Sequence, residues 1–350
     1  MDRYSLLGHL VPGIIAQREN VATESLLYLL RRYGTAHEAF VDLASTVGYA
    51  APSDLTFDTQ VHMEHGNIPD LVGATADGAG VLLVESKFWA TLTPNQPTGY
   101  LRRLPGDREG MVLFVAPEGR YETLWPELLG RCQDEGLELS DETGDPPNWR
   151  AVRTSGVSRL AYVSWSFLLD HLEGRLKGTG GDLGAHEVWQ LRGLCQRLDD
   201  DAFRPIGPGE DPSGSERRRA QLRLLVDDVV KRLVESGVLD TKGYRATPGP
   251  RSYRRYGTLS GRMNWFVGYN EEYAARFGGS FLWVGGPSGD TRTHGPLPAE
   301  DGTPLRSFEL GKEVLFPLDV PIQKAREQAV QSLVAQVEGV VELLPMRDRP

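Results

Sequence analysis

Cysteine is scarce in this chain. Its 350 residues include two, Cys132 and Cys195, too far apart for a CxxC redox or zinc motif. Thiolate metal clusters are thereby excluded, and both residues are expected to be buried thiols in a reducing cytoplasm. Long apolar runs are missing as well: nothing approaches the roughly 18 residues that span a bilayer. The opening MDRYSLLGHLVPGIIAQRE breaks its apolar stretch with His9, Pro12 and Gly13, so it lacks the layout of a signal peptide. No Walker A glycine precedes Gly311-Lys312, which argues against ATP binding by this chain, and no G-x-S-x-G elbow occurs. Internal repeats and low-complexity tracts are absent. His62 and His65 stand three apart around Glu64 on an expected strand end, a spacing that divides them between two faces.

What is present is the composition of a folded protein, 40% apolar and 25% charged, long enough for two domains. The net charge of −10 is unevenly placed: residues 1–175 hold 14 basic and 24 acidic side chains, residues 176–350 hold 24 of each. The pattern predicts helices over 21–33, capped by Asn20, and 36–46. Strand-like text follows in LTFDTQVHME, IPDLVGAT and GVLLVESKFWA, an antiparallel meander. Pro94 is expected to open a helix in PNQPTGYLRRL. MVLFVAP (111–117) reads as a central strand, 121–135 as a helix, 139–150 as an acidic loop, and 159–176 as a strand running into a helix. The Pro-, Gly- and acid-rich stretch 199–215 is an expected linker between a domain over 1–198 and one over 216–350. The second domain opens on an amphipathic helix, 216–236. Strands in NWFVGY, SFLWVGG and VLFPLD follow, and then a helix from about 321. The expected class is α/β in the α+β sense, with a second mixed α+β domain.

The richest signal lies in the first domain. Pro69-Asp70 closes GNIPD, Glu85-Ser86-Lys87 ends the apolar run VLLVESK, and the turn-like Asp77–Gly80 lies between them. A hairpin about that turn pairs residues whose numbers sum to roughly 157, setting Asp70 opposite Lys87 or Ser86 and diagonal to Glu85. Glu85 and Lys87 share a face because strand side chains alternate, and facing or diagonal side chains can converge on one ion. Two carboxylates with a backbone carbonyl, taken as that of Ser86, suit Mg²⁺, with Mn²⁺ as a substitute. Lys87 beside them is placed to assist an attacking water or a developing phosphate charge. Charges in an apolar strand are costly unless paired or metal-bound, which favours a functional reading.

This constellation resembles the PD-(D/E)xK nuclease superfamily. Gln96-Pro97-Thr98-Gly99-Tyr100 is similar to the QxxxY pattern of its RecB-like and lambda-exonuclease-like branch. The resemblance covers roughly residues 15–175. It implies a restriction-endonuclease-like αβββαβ core, with Gln96 and Tyr100 on one face of the following helix. It also implies a supporting acid on the first helix, Glu24 by best match and Glu19 as second choice. The function it implies is metal-dependent hydrolysis of DNA phosphodiesters, in the setting of bacterial antiviral defence or restriction. A noncatalytic interaction protein on the same fold, or an RNase, are the alternatives.

The second domain offers one stretch for nucleic acid. Between Thr241 and Asn270 no acid occurs. Lys242, Arg245, Arg251, Arg254, Arg255 and Arg262 alternate there with Tyr244, Tyr253, Tyr256, Trp265, Phe266 and Tyr269. Cations and aromatics so mixed can follow a phosphate backbone and stack bases. The expected partners are DNA, with a protein partner or a second copy of the chain also admitted; no membrane is expected.

Overall fold

A computed structural model of the chain describes residues 5–14, 18–59, 68–154, 156–178, 182–207, 210, 215–278, 280–291, 306–319, 322, 324 and 326–344. The chain divides into two units, Met1–Ala202 and Phe203–Pro350. Both are mixtures of helix and strand, which gives the α+β class.

The first unit begins with three helices, α1 (Leu6–Ile14), α2 (Arg18–Arg32) and α3 (Gly34–Thr46). Strands β1 (Thr56–Thr59), β2 (Leu71–Ala74) and β3 (Gly80–Ser86) follow, then α4 (Thr98–Leu101), β4 (Gly110–Ala116) and α5 (Tyr121–Asp134). The unit ends with β5 (Leu139–Asp145), β6 (Trp149–Thr154), β7 (Ser158–Ser164), α6 (Trp165–Gly178) and α7 (Asp182–Asp201). One sheet joins the strands in the order β1-β2-β3-β4-β7-β6-β5. Its flanks are antiparallel and its centre, β3-β4-β7, is parallel.

All seven residues of β4 are buried, as its unbroken apolar text predicts for a strand covered on both faces. Met111, Leu113 and Val115 face the core under α2, α3, α6 and α7. Val112, Phe114 and Ala116 face the core under α4 and α5. Each large side chain so buried contributes about 2 kcal/mol.

Several expectations are corrected. The second helix starts at Arg18, so Asn20 lies inside it rather than capping it. The acidic segment 139–150 is largely a β-hairpin, β5 with β6. Its composition misled because β5 is an edge strand with every residue but Leu139 exposed, where acidic side chains are solvated and protect the edge. The helix expected from Pro94 shrinks to Thr98–Leu101. His62, Glu64 and His65 lie outside the described residues. Asp199 belongs to α7, while Phe203 and Ile206 are buried in the second unit's core, which narrows the expected linker from both ends.

The second unit contains α8 (Glu216–Glu235), β8 (Leu239–Asp240), β9 (Ala246–Gly249), β10 (Ser252–Leu259), β11 (Arg262–Asn270) and α9 (Glu271–Phe277). It continues with β12 (Leu282–Pro287), β13 (Phe308–Leu310), β14 (Glu313–Leu318) and α10 (Arg326–Leu343). The strands form an antiparallel sheet, β13-β14-β12-β11-β10-β8, with β9 also paired to β10. The stripe Leu222, Leu225, Val226, Val229, Val230 and Leu233 of α8 is buried against one sheet face, as its 3/4 spacing requires.

Candidate active site

The hairpin of β2 and β3 sets the geometry. Leu71 pairs with Val84 and Val72 with Leu83, and the register slips at Gly73/Ala74 next to the turn. Partner numbers sum to 155 rather than 157, which brings Asp70 level with Glu85 instead of Lys87. A shift of two preserves the alternation of faces, so the convergence survives the register error. Asp70 is tied across the hairpin: its Oδ2 accepts the Ser86 backbone N–H at 2.8 Å.

Glu85 sits at the buried end of β3 with both carboxylate oxygens engaged. Oε1 accepts from Gln96 Nε2 at 2.8 Å and lies 2.9 Å from the Lys87 ammonium. Oε2 accepts from the Tyr100 hydroxyl at 2.8 Å. Gln96 Nε2 also reaches the Tyr100 oxygen at 3.1 Å, and that oxygen lies 3.2 Å from the Ile68 carbonyl. The Lys87 backbone N–H donates to Val115 on β4 at 2.8 Å, which extends the strand pairing one residue past β3 and fixes where the ammonium emerges.

Gln96 and Tyr100 do not meet as i and i+4 on one helix. Gln96 lies in the turn before α4, its Oε1 accepting the Thr93 N–H at 3.0 Å. Folding the side chain back on its own turn orients the amide so that Nε2 faces Glu85. The turn is held by a residue the sequence did not single out: Arg131 of α5. Its guanidinium donates to the Thr93, Gln96 and Leu92 carbonyls and pairs with Glu127. Arg120 was missed in the same way. It is buried, donates to the Ala90 carbonyl at 3.1 Å and stacks over Trp89, bracing the segment after Lys87. Both arginines act on carbonyls distant in sequence, so no motif marks them.

The two candidate helix acids divide the site between them. Glu19 accepts the Phe88 backbone N–H. Burial raises its pKa, with help from the Glu85 charge and against the pull of Lys87 and Arg120. Glu24, the better sequence match, is exposed; its Oε1 accepts the Thr59 hydroxyl at 2.7 Å. Glu24 lines a cavity together with Asp70. The sequence ranked Glu24 first and Glu19 second, whereas Glu19 is the one that interacts with Glu85, Lys87 and Phe88.

Burial, followed by repulsion from Glu85, pushes the Asp70 pKa up to about 7. The Ser86 N–H and the Lys87 charge oppose this. Burial also pushes the Tyr100 phenol up, so it remains a hydrogen-bond donor at neutral pH. Among the described residues no three His, Cys, Asp or Glu side chains already stand as a metal-ligand cluster. The donor chemistry nonetheless fits a hard, oxygen-seeking cation. Two carboxylates are crowded at the ends of adjacent strands, one of them driven toward its neutral form.

The basic stretch of the second unit is corrected by tertiary structure. Trp265, Phe266 and Tyr269 are buried in its cores. Tyr253 is buried with its hydroxyl on Asp227 at 2.8 Å. Arg255 pairs with Asp227, and Arg251 lies 3.4 Å from Glu271. Arg254 lies 4.5 Å from the centre of the Phe266 ring, hydrogen-bonds Tyr256 and pairs with Glu313 at 3.2 Å. Arg262 is buried. Of the candidate cations, Lys242 and Arg245 are exposed without a described ion pair. The stretch lacks acids in sequence, but the fold supplies them from α8, α9 and β14.

No protein-family model matches the chain, and no curated protein or solved structure is similar enough to indicate a relationship. No described helix is long and apolar enough to cross a membrane.

Proposed function

We propose that the first unit is a metal-dependent nuclease that hydrolyses phosphodiester bonds in DNA. The observation that carries this reading is the convergence of Asp70, Glu85 and Lys87, with Gln96 and Tyr100 holding separate oxygens of Glu85. The order of elements supports it: helices, an antiparallel β1-β2-β3 meander, and then β4 parallel to β3, as the resemblance implies for its core.

Asp70, Glu85 and the Ser86 carbonyl would hold Mg²⁺ or Mn²⁺, which supplies charge neutralisation and polarisation at a phosphodiester when bound. Gln96 and Tyr100 fix the Glu85 carboxylate so that its remaining lone pairs point one way. Lys87 presents a cation beside Glu85, where it orients a water or opposes charge growing on the phosphoryl oxygens. Glu19 and Glu24 flank the pair, placed to hydrogen-bond waters around it.

The test is a cleavage panel of supercoiled plasmid, linear duplex, single-stranded DNA and RNA, with Mg²⁺ or Mn²⁺. Wild type is compared with Lys87→Ala and Asp70→Ala. Metal-dependent cutting that both variants abolish is expected. Cutting that survives both would sink the assignment, and cutting confined to RNA would replace DNA as the substrate.

A further inference from the structure

Gln96 reaches Glu85 from a surface loop. Leu92 and Gln96 are buried, but Thr93, Pro94 and Asn95 between them are exposed, so apolar packing does not fix the middle of this segment. Its own bonds are local. The Gln96 N–H donates to the Thr93 carbonyl at 3.1 Å, and the Gly99 N–H to the Asn95 carbonyl at 2.7 Å. The Thr93 N–H donates to Gln96 Oε1 at 3.0 Å. These bonds set the shape of the turn and not its position against β3. A well-formed turn that shifts as a body still carries Nε2 away from Glu85.

Arg131 fixes that position. It lies in the last turn of α5, a helix anchored by Leu124, Trp125 and Leu128 in the same core as Leu92 and Tyr100. Nη1 donates to the Thr93 carbonyl and, at 3.1 Å, to the Gln96 carbonyl; Nη2 donates to the Leu92 carbonyl at 3.3 Å. One rigid, planar group thus ties both ends of the loop to the helix. Glu127, one turn earlier, accepts from Nη2 at 2.8 Å and aims the fork. The Arg131 side chain is 29% exposed, so its ion pair by itself contributes little. Its weight lies in the three carbonyls it gathers with charge-assisted bonds.

Arg131 and Glu85 are linked through Gln96, whose carbonyl accepts from the one and whose amide donates to the other. We infer that Arg131 is a positioning residue for the metal site: it fixes the Gln96 amide, and through it the Glu85 carboxylate, in the orientation that receives the cation. The inference rests on the nuclease reading for the role of Glu85. A carboxylate already held in place loses less freedom when a cation binds. Removing an outer partner of a metal ligand weakens metal affinity by about 10–100-fold. Arg131 acts through Gln96, so its removal costs no more than removal of the amide itself.

The experiment uses the full chain and Mn²⁺ as the probe, with affinity measured by titration calorimetry in the absence of nucleic acid. Asp70→Ala, which removes a ligand, marks the signal that belongs to this site. Wild type is compared with Arg131→Met, Gln96→Met and the double variant, and urea melts check that each is folded. Each single variant should weaken Mn²⁺ binding by about tenfold or more, and the double variant should bind no more weakly than Gln96→Met. Cleavage lost in Arg131→Met should return at high Mn²⁺, because the ligands themselves remain. A merely structural arginine would lower the urea midpoint and leave the affinity of the folded protein unchanged; that result overturns the inference, as do losses that multiply in the double variant. If Arg131→Met does not fold, Arg131→Lys, which keeps the charge but not the fork, is judged by the same two criteria. Arg131-dependent Mn²⁺ binding without cleavage of any nucleic acid overturns the nuclease reading and leaves the positioning role. Metal-dependent cleavage with an affinity indifferent to Arg131 does the reverse, and a wild type that binds no Mn²⁺ overturns both.

Discussion

The amide nitrogen of Gln96 lies 2.8 Å from Oε1 of Glu85, although one residue belongs to a turn and the other to the end of a central strand. This bond, with the Tyr100 hydroxyl on the other oxygen, leaves the carboxylate little freedom to rotate. It also makes the site depend on the loop 92–96 and on Arg131, which staples that loop to α5.

Tyr100→Phe keeps the ring in its core and removes only the hydroxyl. Outer partners of a metal ligand are worth about 10–100-fold in activity or metal affinity, and cleavage should fall by that much. Unfolding free energy should drop by about 1 kcal/mol. Initial rates and urea melts measure the two effects, and an unchanged rate would show that Glu85 needs no clamp.

Lys87→Met removes the cation and leaves Glu85 buried. Breaking a buried pair on one side costs about 3–5 kcal/mol, and the retained bonds from Gln96 and Tyr100 place the expected loss near the lower end. Cleavage should vanish. Lys87→Arg should recover stability better than activity, because a guanidinium keeps the charge but not the compact geometry.

Asp70 makes metal-free stability depend on pH with a definite sign. Its folded pKa is about 7 against an ordinary 3.8, so the folded state holds the extra proton between those values. The resulting stabilisation is complete below the lower value and is lost as pH rises through about 7. Asp70→Asn should therefore raise the metal-free Tm at pH 8 and not at pH 4. The difference should be on the order of 2 kcal/mol, allowing for partial exposure. Calorimetry across that range, wild type against variant, checks it; a variant effect that grows toward low pH would be the wrong sign.

In the second unit, Arg254→Ala and Arg255→Ala should behave as structural losses. Each frees a carboxylate, Glu313 or Asp227, and Arg254 also leaves the faces of Phe266 and Tyr273. A fall of about 1–3 kcal/mol is expected for Arg254, whose contacts are the better buried. Lys242→Ala and Arg245→Ala should leave the melting temperature unchanged. If the Arg254 and Arg255 variants melt normally and change the salt slope of DNA binding, the basic stretch regains its role.

The α+β class, the central strand β4, the amphipathic α8 and the acid–acid–lysine set were legible because each follows from a local period or a short motif. The register of β2 with β3 was two residues off because the turn closes between Thr75 and Ala79, earlier in the chain than the expected centre at Asp77–Gly80, and the slip at Gly73/Ala74 restores only one residue of the difference. Edge strand β5 was hidden by its acids, since an exposed edge and a loop share the same composition. The helix linking Gln96 to Tyr100 was wrong while their contact was right: the spacing permits a meeting, and a side chain bonded to its own turn arranges it differently.

What the sequence by itself determined is which charged side chains could meet, because alternation along a strand sets Glu85 and Lys87 on one face whatever lies around them. The tertiary structure alone decided how they are held and which charges remain available. Glu19 entered the site, and Arg120 and Arg131 became its braces. Arg254 and Arg255 were tied up by acids more than a dozen residues away, while Arg251 keeps an exposed side chain beside Glu271. Periodicity is a property of neighbours in the chain. Ion pairing and desolvation are properties of neighbours in space, and only the packed fold specifies those.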